Sequence, residues 1–106
     1  MKKRAIIILS LFLIYLAPAR AQFHEFDYDS VIDAKNDNAI RLYREGKFEA
    51  AEKLFLEVLE LKQRYLPKND IRIANTQTNL VGIYTNLYQY DLAINYADKA
   101  NEIFTQ

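Results

Sequence analysis

The chain has 106 residues, room for one small domain, and its formal net charge of zero hides an asymmetry. Lys2, Lys3, Arg4 and Arg20 lie ahead of Gln22 with no acid among them, so the remainder carries ten basic residues against 14 acidic ones, a net of −4 that leaves no footprint for nucleic acid and no attraction to an anionic membrane surface. There is no cysteine, which excludes disulfides, thiol redox chemistry, thiolate metal sites and a lipid-modified cysteine anchor.

The chain opens on a short basic stretch, Met1 to Arg4. The apolar run AIIILSLFLIYLA follows over residues 5–17, then Ala19-Arg20-Ala21, a small-x-small site before Gln22. That order is the three-part secretory signal. As a helix the run covers roughly 20 Å, short of the ~30 Å hydrocarbon core. A cleaved leader over 1–21 is expected. The protein is then exported, periplasmic or secreted; the alternative is an inner-membrane anchor formed by an uncleaved leader, the one membrane contact expected.

Residues 22–29 (QFHEFDYD) read as a lead-in. Asp29 or Ser30 is placed to cap a first helix from about Ser30 to Glu45. Its apolar stripe is weak where Lys35, Asn36, Asp37 and Asn38 stand together, so a frayed or solvent-facing helix is expected. Gly46-Lys47 makes a turn, glycine suiting the left-handed end of a helix. A second helix runs from about Phe48 to Tyr65 on the stripe Ala51, Leu54, Phe55, Val58 and Leu61, with Glu49–Lys53 and Glu60–Arg64 as i,i+4 pairs. Pro67 ends it. After the connector PKND, capped by Asn69 or Asp70, a third helix spans about Ile71 to Leu87. A fourth spans about Tyr90 to Phe104, with Ala93, Ala97 and Ala100 at helical spacing. The turn between them has no glycine, and Asn86 is the residue nearby that tolerates a left-handed conformation. No segment reads as a strand.

The chain repeats itself. GKFEAAEKLF (residues 46–55) returns as YQYDLAINYA (residues 88–97) at a spacing of 42 residues. Such self-similarity marks stacked helical hairpins, in which each unit buries its apolar face against neighbours. Gly46, Phe48, Ala51, Phe55 and Val58 in the first copy, and Leu80, Tyr84, Tyr90, Ala93, Ala97 and Ala100 in the second, resemble a tetratricopeptide repeat. The long second helix, the LPKND connector and the TNLVGIY stretch are similar to the 42-residue variant of kinesin light chains and many bacterial repeat proteins. The sequence departs from that pattern at Asn38, where the family often has leucine, at Tyr88 for the turn glycine, and at Ala97 for the large residue matched by Phe55.

The resemblance implies an all-α fold, a short right-handed α-solenoid of two hairpins over residues 30–66 and 70–106. It implies a groove lined by the first helix of each hairpin that holds a protein or peptide partner. Carried over by register, the partner-binding residues are Asn36, Ile40, Tyr43 and Arg44 on the first helix, and Asn75, Thr78, Asn79, Gly82 and Asn86 on the third. Asparagine both donates to and accepts from an extended peptide backbone. Tyr84, Tyr90 and Tyr96 sit at core spacings; Tyr43 and Tyr88 do so less clearly.

No catalytic set emerges. His24 is the single histidine and lies in the lead-in, Ser30 is the one serine after the leader, and Gly82 stands alone. No enzyme activity, cofactor or metal is expected. Two functions follow: an exported module for protein–protein contact, or the sensor or scaffold part of a longer protein with a kinase, transcription-regulator or protease-like effector. The fourth helix leaves Leu92, Ile94, Ile103 and Phe104 on more than one side, which points to self-association or to further repeats.

Overall fold

The computed structural model describes residues 27–106. The leader, most of the lead-in and His24 lie outside them. Four helices follow one another: α1 (Tyr28–Arg44), α2 (Phe48–Tyr65), α3 (Ile71–Asn86) and α4 (Tyr90–Phe104). Each packs chiefly on its neighbours in sequence, α1 on α2, α2 on α3 and α3 on α4. Among the described residues there is no strand, and no helix is long and apolar enough to cross a membrane.

The helix ends follow from two kinds of stop. α1 and α3 use carboxylate caps. Asp27 Oδ1 accepts from Ser30 N at 3.2 Å, and Asp70 Oδ1 accepts from Arg72 N at 2.9 Å. The first cap is therefore Asp27 rather than Asp29 or Ser30, and α1 starts two residues earlier than its pattern implied. α2 and α4 begin straight after tight turns and have no side-chain cap.

Those two turns are the same turn. In the first, Lys47 N donates to Leu42 O at 2.9 Å and Gly46 N to Tyr43 O at 3.0 Å. In the second, Gln89 N donates to Tyr84 O at 2.8 Å and Tyr88 N to Thr85 O at 3.2 Å. This double bond is the Schellman closure, which satisfies carbonyls left over at a helix end and needs a left-handed residue at its apex. Gly46 supplies it with φ +76°, Tyr88 with φ +59°. The left-handed residue is thus Tyr88 itself, and Asn86 stays helical.

The core is a continuous stripe of buried side chains: Ala39 from α1, Ala51, Phe55 and Leu59 from α2, Ile73, Leu80, Ile83 and Tyr84 from α3, and Ala93 from α4. Alanines at 39, 51, 74 and 93 let backbones approach closely, and Phe55, Leu80 and Ile83 fill the space beside them. Lys62 adds a polar strap from α2 to α3: its Nζ donates to Thr76 Oγ1 at 2.9 Å and to Arg72 O at 3.2 Å. Partial burial, with Arg72 nearby, pushes the Lys62 ammonium below its usual range.

α1 is a continuous helix, not a frayed one. Its polar middle is held by contacts the apolar pattern does not register. Lys35 Nζ pairs with Glu57 of α2 at 2.9 Å, and Arg41 bonds both Asn38 Oδ1 and Glu45 Oε1. On α2, Glu60–Arg64 closes at 2.9 Å, while Glu49–Lys53 forms no ion pair. The aromatics also divide. Tyr84 is buried and stacks on Tyr96 at 5.6 Å between ring centres. Tyr90, at a core spacing, is 55% exposed. In the first copy Phe48 packs on Tyr43 at 5.5 Å; 42 residues on, Thr85 stands where Tyr43 would, so Tyr90 meets only the Tyr88 ring at 6.4 Å.

Candidate functional site

α1 and α3 are the first helices of the two hairpins, and they face each other across α2. Between them lies a cavity of about 290 Å³. Ile40 and Tyr43 form one wall, Thr78, Asn79 and Gly82 the other, and Phe55 of α2 the floor. Residues 40 and 43 on α1, and 78, 79 and 82 on α3, are spaced by three or four, so each set falls on one helix face.

Gly82 shapes the site. A Cβ there would stand 3.3 Å from Tyr43 Oη, a tight contact, so the missing side chain is what lets the Tyr43 ring lie against α3. The same ring is fixed at its hydroxyl, which accepts from Asn86 Nδ2 at 3.2 Å. Asn86 Nδ2 also donates to Gly82 O at 2.8 Å. Asn86 thus braces the tyrosine rather than offering its amide outward. Thr78 Oγ1 donates to Ala74 O at 2.9 Å and keeps only acceptor capacity. Asn79 is half-buried, and among the described residues its amide has no hydrogen-bond partner. It is the free donor–acceptor pair of the cavity.

The lining carries no charged side chain. Charge begins next door, in a shallower cavity of about 400 Å³ where Asp37, Arg41, Arg44 and Glu45 share Ile40 with the first. Hydrogen bonds from Lys47 and Arg41 hold the Glu45 carboxyl below its usual range, and both cations form ion pairs with it.

Of the nine residues expected from register, five line the cavity: Ile40, Tyr43, Thr78, Asn79 and Gly82. Asn86 acts through Tyr43. Arg44 sits on the charged rim. Asn36, half-buried on α1, and Asn75, exposed on α3, lie outside the cavity. The floor residue Phe55 was read as core, and it is; its second role shows only when α1 and α3 are placed on either side of it.

The arrangement is a helical-hairpin scaffold with a small, mostly uncharged concavity between first helices. Residues 31–71, which take in nearly all of α1, all of α2 and the connector, match the family model described as Tetratricopeptide repeat. That stretch is similar to a tetratricopeptide repeat, a kind of repeat associated with protein–protein interaction. No curated protein and no solved structure matches the chain.

Proposed function

We propose that this chain is an exported, non-enzymatic module that holds a peptide segment of a protein partner in the groove between α1 and α3. The observation that carries the reading is the cavity in which Asn79 presents an unused amide beside the apolar walls of Ile40, Tyr43 and Phe55. An extended peptide supplies what that cavity lacks: a backbone N–H and C=O for Asn79, and an apolar side chain for the floor. The uncharged lining favours a partner segment without charges at the inserted position. Export rests on the leader pattern of residues 1–21.

The test is capture of partners from the exported fraction by the wild-type chain and by Asn79→Ala. Loss of one hydrogen-bonding amide should weaken retention about three- to tenfold with an unchanged melting curve. Equal retention would remove Asn79 and the groove from the reading. Intact-mass measurement of the native protein should give a chain starting at Gln22; a retained Met1 in the membrane fraction would favour the anchored alternative.

A second reading has its own observation. Leu92, Ile94 and Phe104 of α4 are 42%, 60% and 47% exposed, on more than one side of the helix. A second copy, or the next repeat of a longer sensor or scaffold protein, packed on α4 would bury part of this apolar surface. Sedimentation of wild type against Ile94→Glu separates these: a dimer dispersed by the substitution indicates the second copy.

A further inference from the structure

The free side of α4 has a template inside the chain. A shift of 42 residues carries α2 onto α4 and α1 onto α3. α2 meets α3 through Glu52, which lies beside the Tyr84 phenol, and through Lys62, whose Nζ donates to Thr76 Oγ1 at 2.9 Å; Phe55 and Leu59 are buried between them in sequence. The counterparts on α4 are Ile94, Ala97, Asn101 and Phe104. Spaced by three and four, they share one helix face, and all four are exposed.

The helix of a second copy that is equivalent to α3 is α1. Its counterparts of Thr76, Leu80 and Tyr84 are Ala34, Asn38 and Leu42, the first two exposed. Carried over by 42 residues, the α2–α3 contacts put Phe104 on Ala34 and Ile94 on Leu42. Two polar contacts inside the chain thereby become two apolar contacts between chains. Residue 52 meets 84 while 62 meets 76, so the helices run antiparallel. Asn101 then falls opposite Asn38, whose Oδ1 accepts from Arg41 and whose amide N–H groups can donate to Asn101. Ala97 leaves room opposite Arg41. Charge agrees with this register. α1 ends on Arg41 and Arg44, and α4 begins with Asp91, followed two turns on by Asp98. Asp91, Asp98 and Arg44 form no ion pair among the described residues.

We propose that α4 of one copy docks on α1 of a second copy, so that the protein associates head to tail and continues its own helix stack. This rests on the reading that a second copy packs on α4. Pairing α4 with α4 is disfavoured, because a two-fold axis brings like edges together and would set the Asp91–Asp98 edge against itself.

The experiment is sedimentation velocity of the purified native chain up to about 1 mM. Wild type should associate with an apparent Kd of about 10–100 μM and pass beyond the dimer as concentration rises, because each added copy presents a fresh α4. Ile94→Glu and Ala34→Glu, both at exposed positions, should each stay monomeric with unchanged circular-dichroism melts. An equimolar mixture of the two variants should form a dimer and nothing larger, since together they keep one intact α4 face and one intact α1 face. Asp98→Arg should weaken wild-type association about three- to tenfold. A wild type that is monomeric at about 1 mM overturns the proposal, and with it the reading that a second copy covers α4. A dimer that Ile94→Glu disperses and Ala34→Glu leaves intact overturns the head-to-tail contact alone and indicates α4 on α4. A mixture of the two variants that stays monomeric overturns it as well.

Discussion

The two hairpins are the same backbone written twice, and they differ in how fully they are covered. α2 lies between α1 and α3 and buries Ala51, Phe55, Val58 and Leu59. Forty-two residues on, α4 has Ala93, Ala97, Ala100 and Asn101 at those places and buries only Ala93 and Ala100. Phe55 is 2% exposed; its counterpart Ala97 is exposed. Lys62, strapped to α3 by two hydrogen bonds, corresponds to Phe104, which is 47% exposed. Among the described residues α2 therefore owes its packing to a neighbour on each side, α4 to one. In a stacked repeat, stability is a sum of unit and interface contributions, and α4 has one interface fewer among the described residues.

Substitutions at matched positions measure that difference. Ala51→Asp places an unpaired carboxylate at a site with 0% exposure and should lower stability by more than about 3 kcal/mol, enough to abolish the helical melt of so small a domain. Ala93→Asp, at 6% exposure on the helix with a single neighbour, should cost less, because its carboxylate can reach water. Circular-dichroism melts of the two would sink the comparison if Ala93→Asp were the more damaging. Next in size, Phe55→Ala should cost about 3–5 kcal/mol and open the groove floor. The reciprocal Ala97→Phe should stay within about 0.5 kcal/mol.

The contrast also bears on how much of the fold the sequence alone makes legible. The extent of α2 was legible because Gly46, Pro67 and the alanine–aromatic rhythm all point the same way; that of α4, with no glycine or proline beside it, was legible from its likeness to α2 42 residues earlier. The start of α1 was not, because Asp27, Asp29 and Ser30 are all residues that can cap a helix. Tyr88 as the left-handed residue contradicts its own preference; the hydrogen bonds that close the turn override it. In the groove, the register of the resemblance put Ile40 with Tyr43 and Thr78 with Asn79 and Gly82, and these five line one cavity. It did not separate a residue that lines the cavity from one a turn away, so Asn36 and Asn75 were included and Phe55 was not.

The turns give smaller, opposite effects. No atom lies within 4 Å of a Cβ built on Gly46, so Gly46→Ala meets no clash and suffers only the left-handed backbone, about 1 kcal/mol. Tyr88→Gly relieves the same strain. Its ring is 78% exposed, so little packing is lost, and part of the gain is offset by a more flexible unfolded chain. A net stabilisation of about 0.5–1 kcal/mol in denaturant titration is expected. A loss instead would mean that the Tyr88–Tyr90 contact holds the second turn.

The smallest effect separates the two carboxylate caps. Asp27 accepts a single bond from Ser30 N. Asp70 accepts from Arg72 N, and its carboxylate is also gripped by Arg72 Nε and Nη2, each at 2.9 Å. The guanidinium bonds, with the backbone N–H behind them, hold the Asp70 carboxyl down to about 2. A depressed carboxyl favours the folded state only while it is ionised. Its contribution is whole above about pH 4, the unfolded range, and drains away as pH falls toward 2. Asn is an equally good cap without the charge, so Asp70→Asn removes the ion pair and leaves the helix start intact. The stability gap between wild type and Asp70→Asn should therefore be constant from pH 5 to 7 and close between about pH 4 and 2, in added salt as well as without it, because a hydrogen-bonded pair at contact distance is screened less than separated surface charges. A gap that stays flat down to pH 2 would mean that Asp70 acts as a neutral cap, no different in kind from its counterpart at the start of α1.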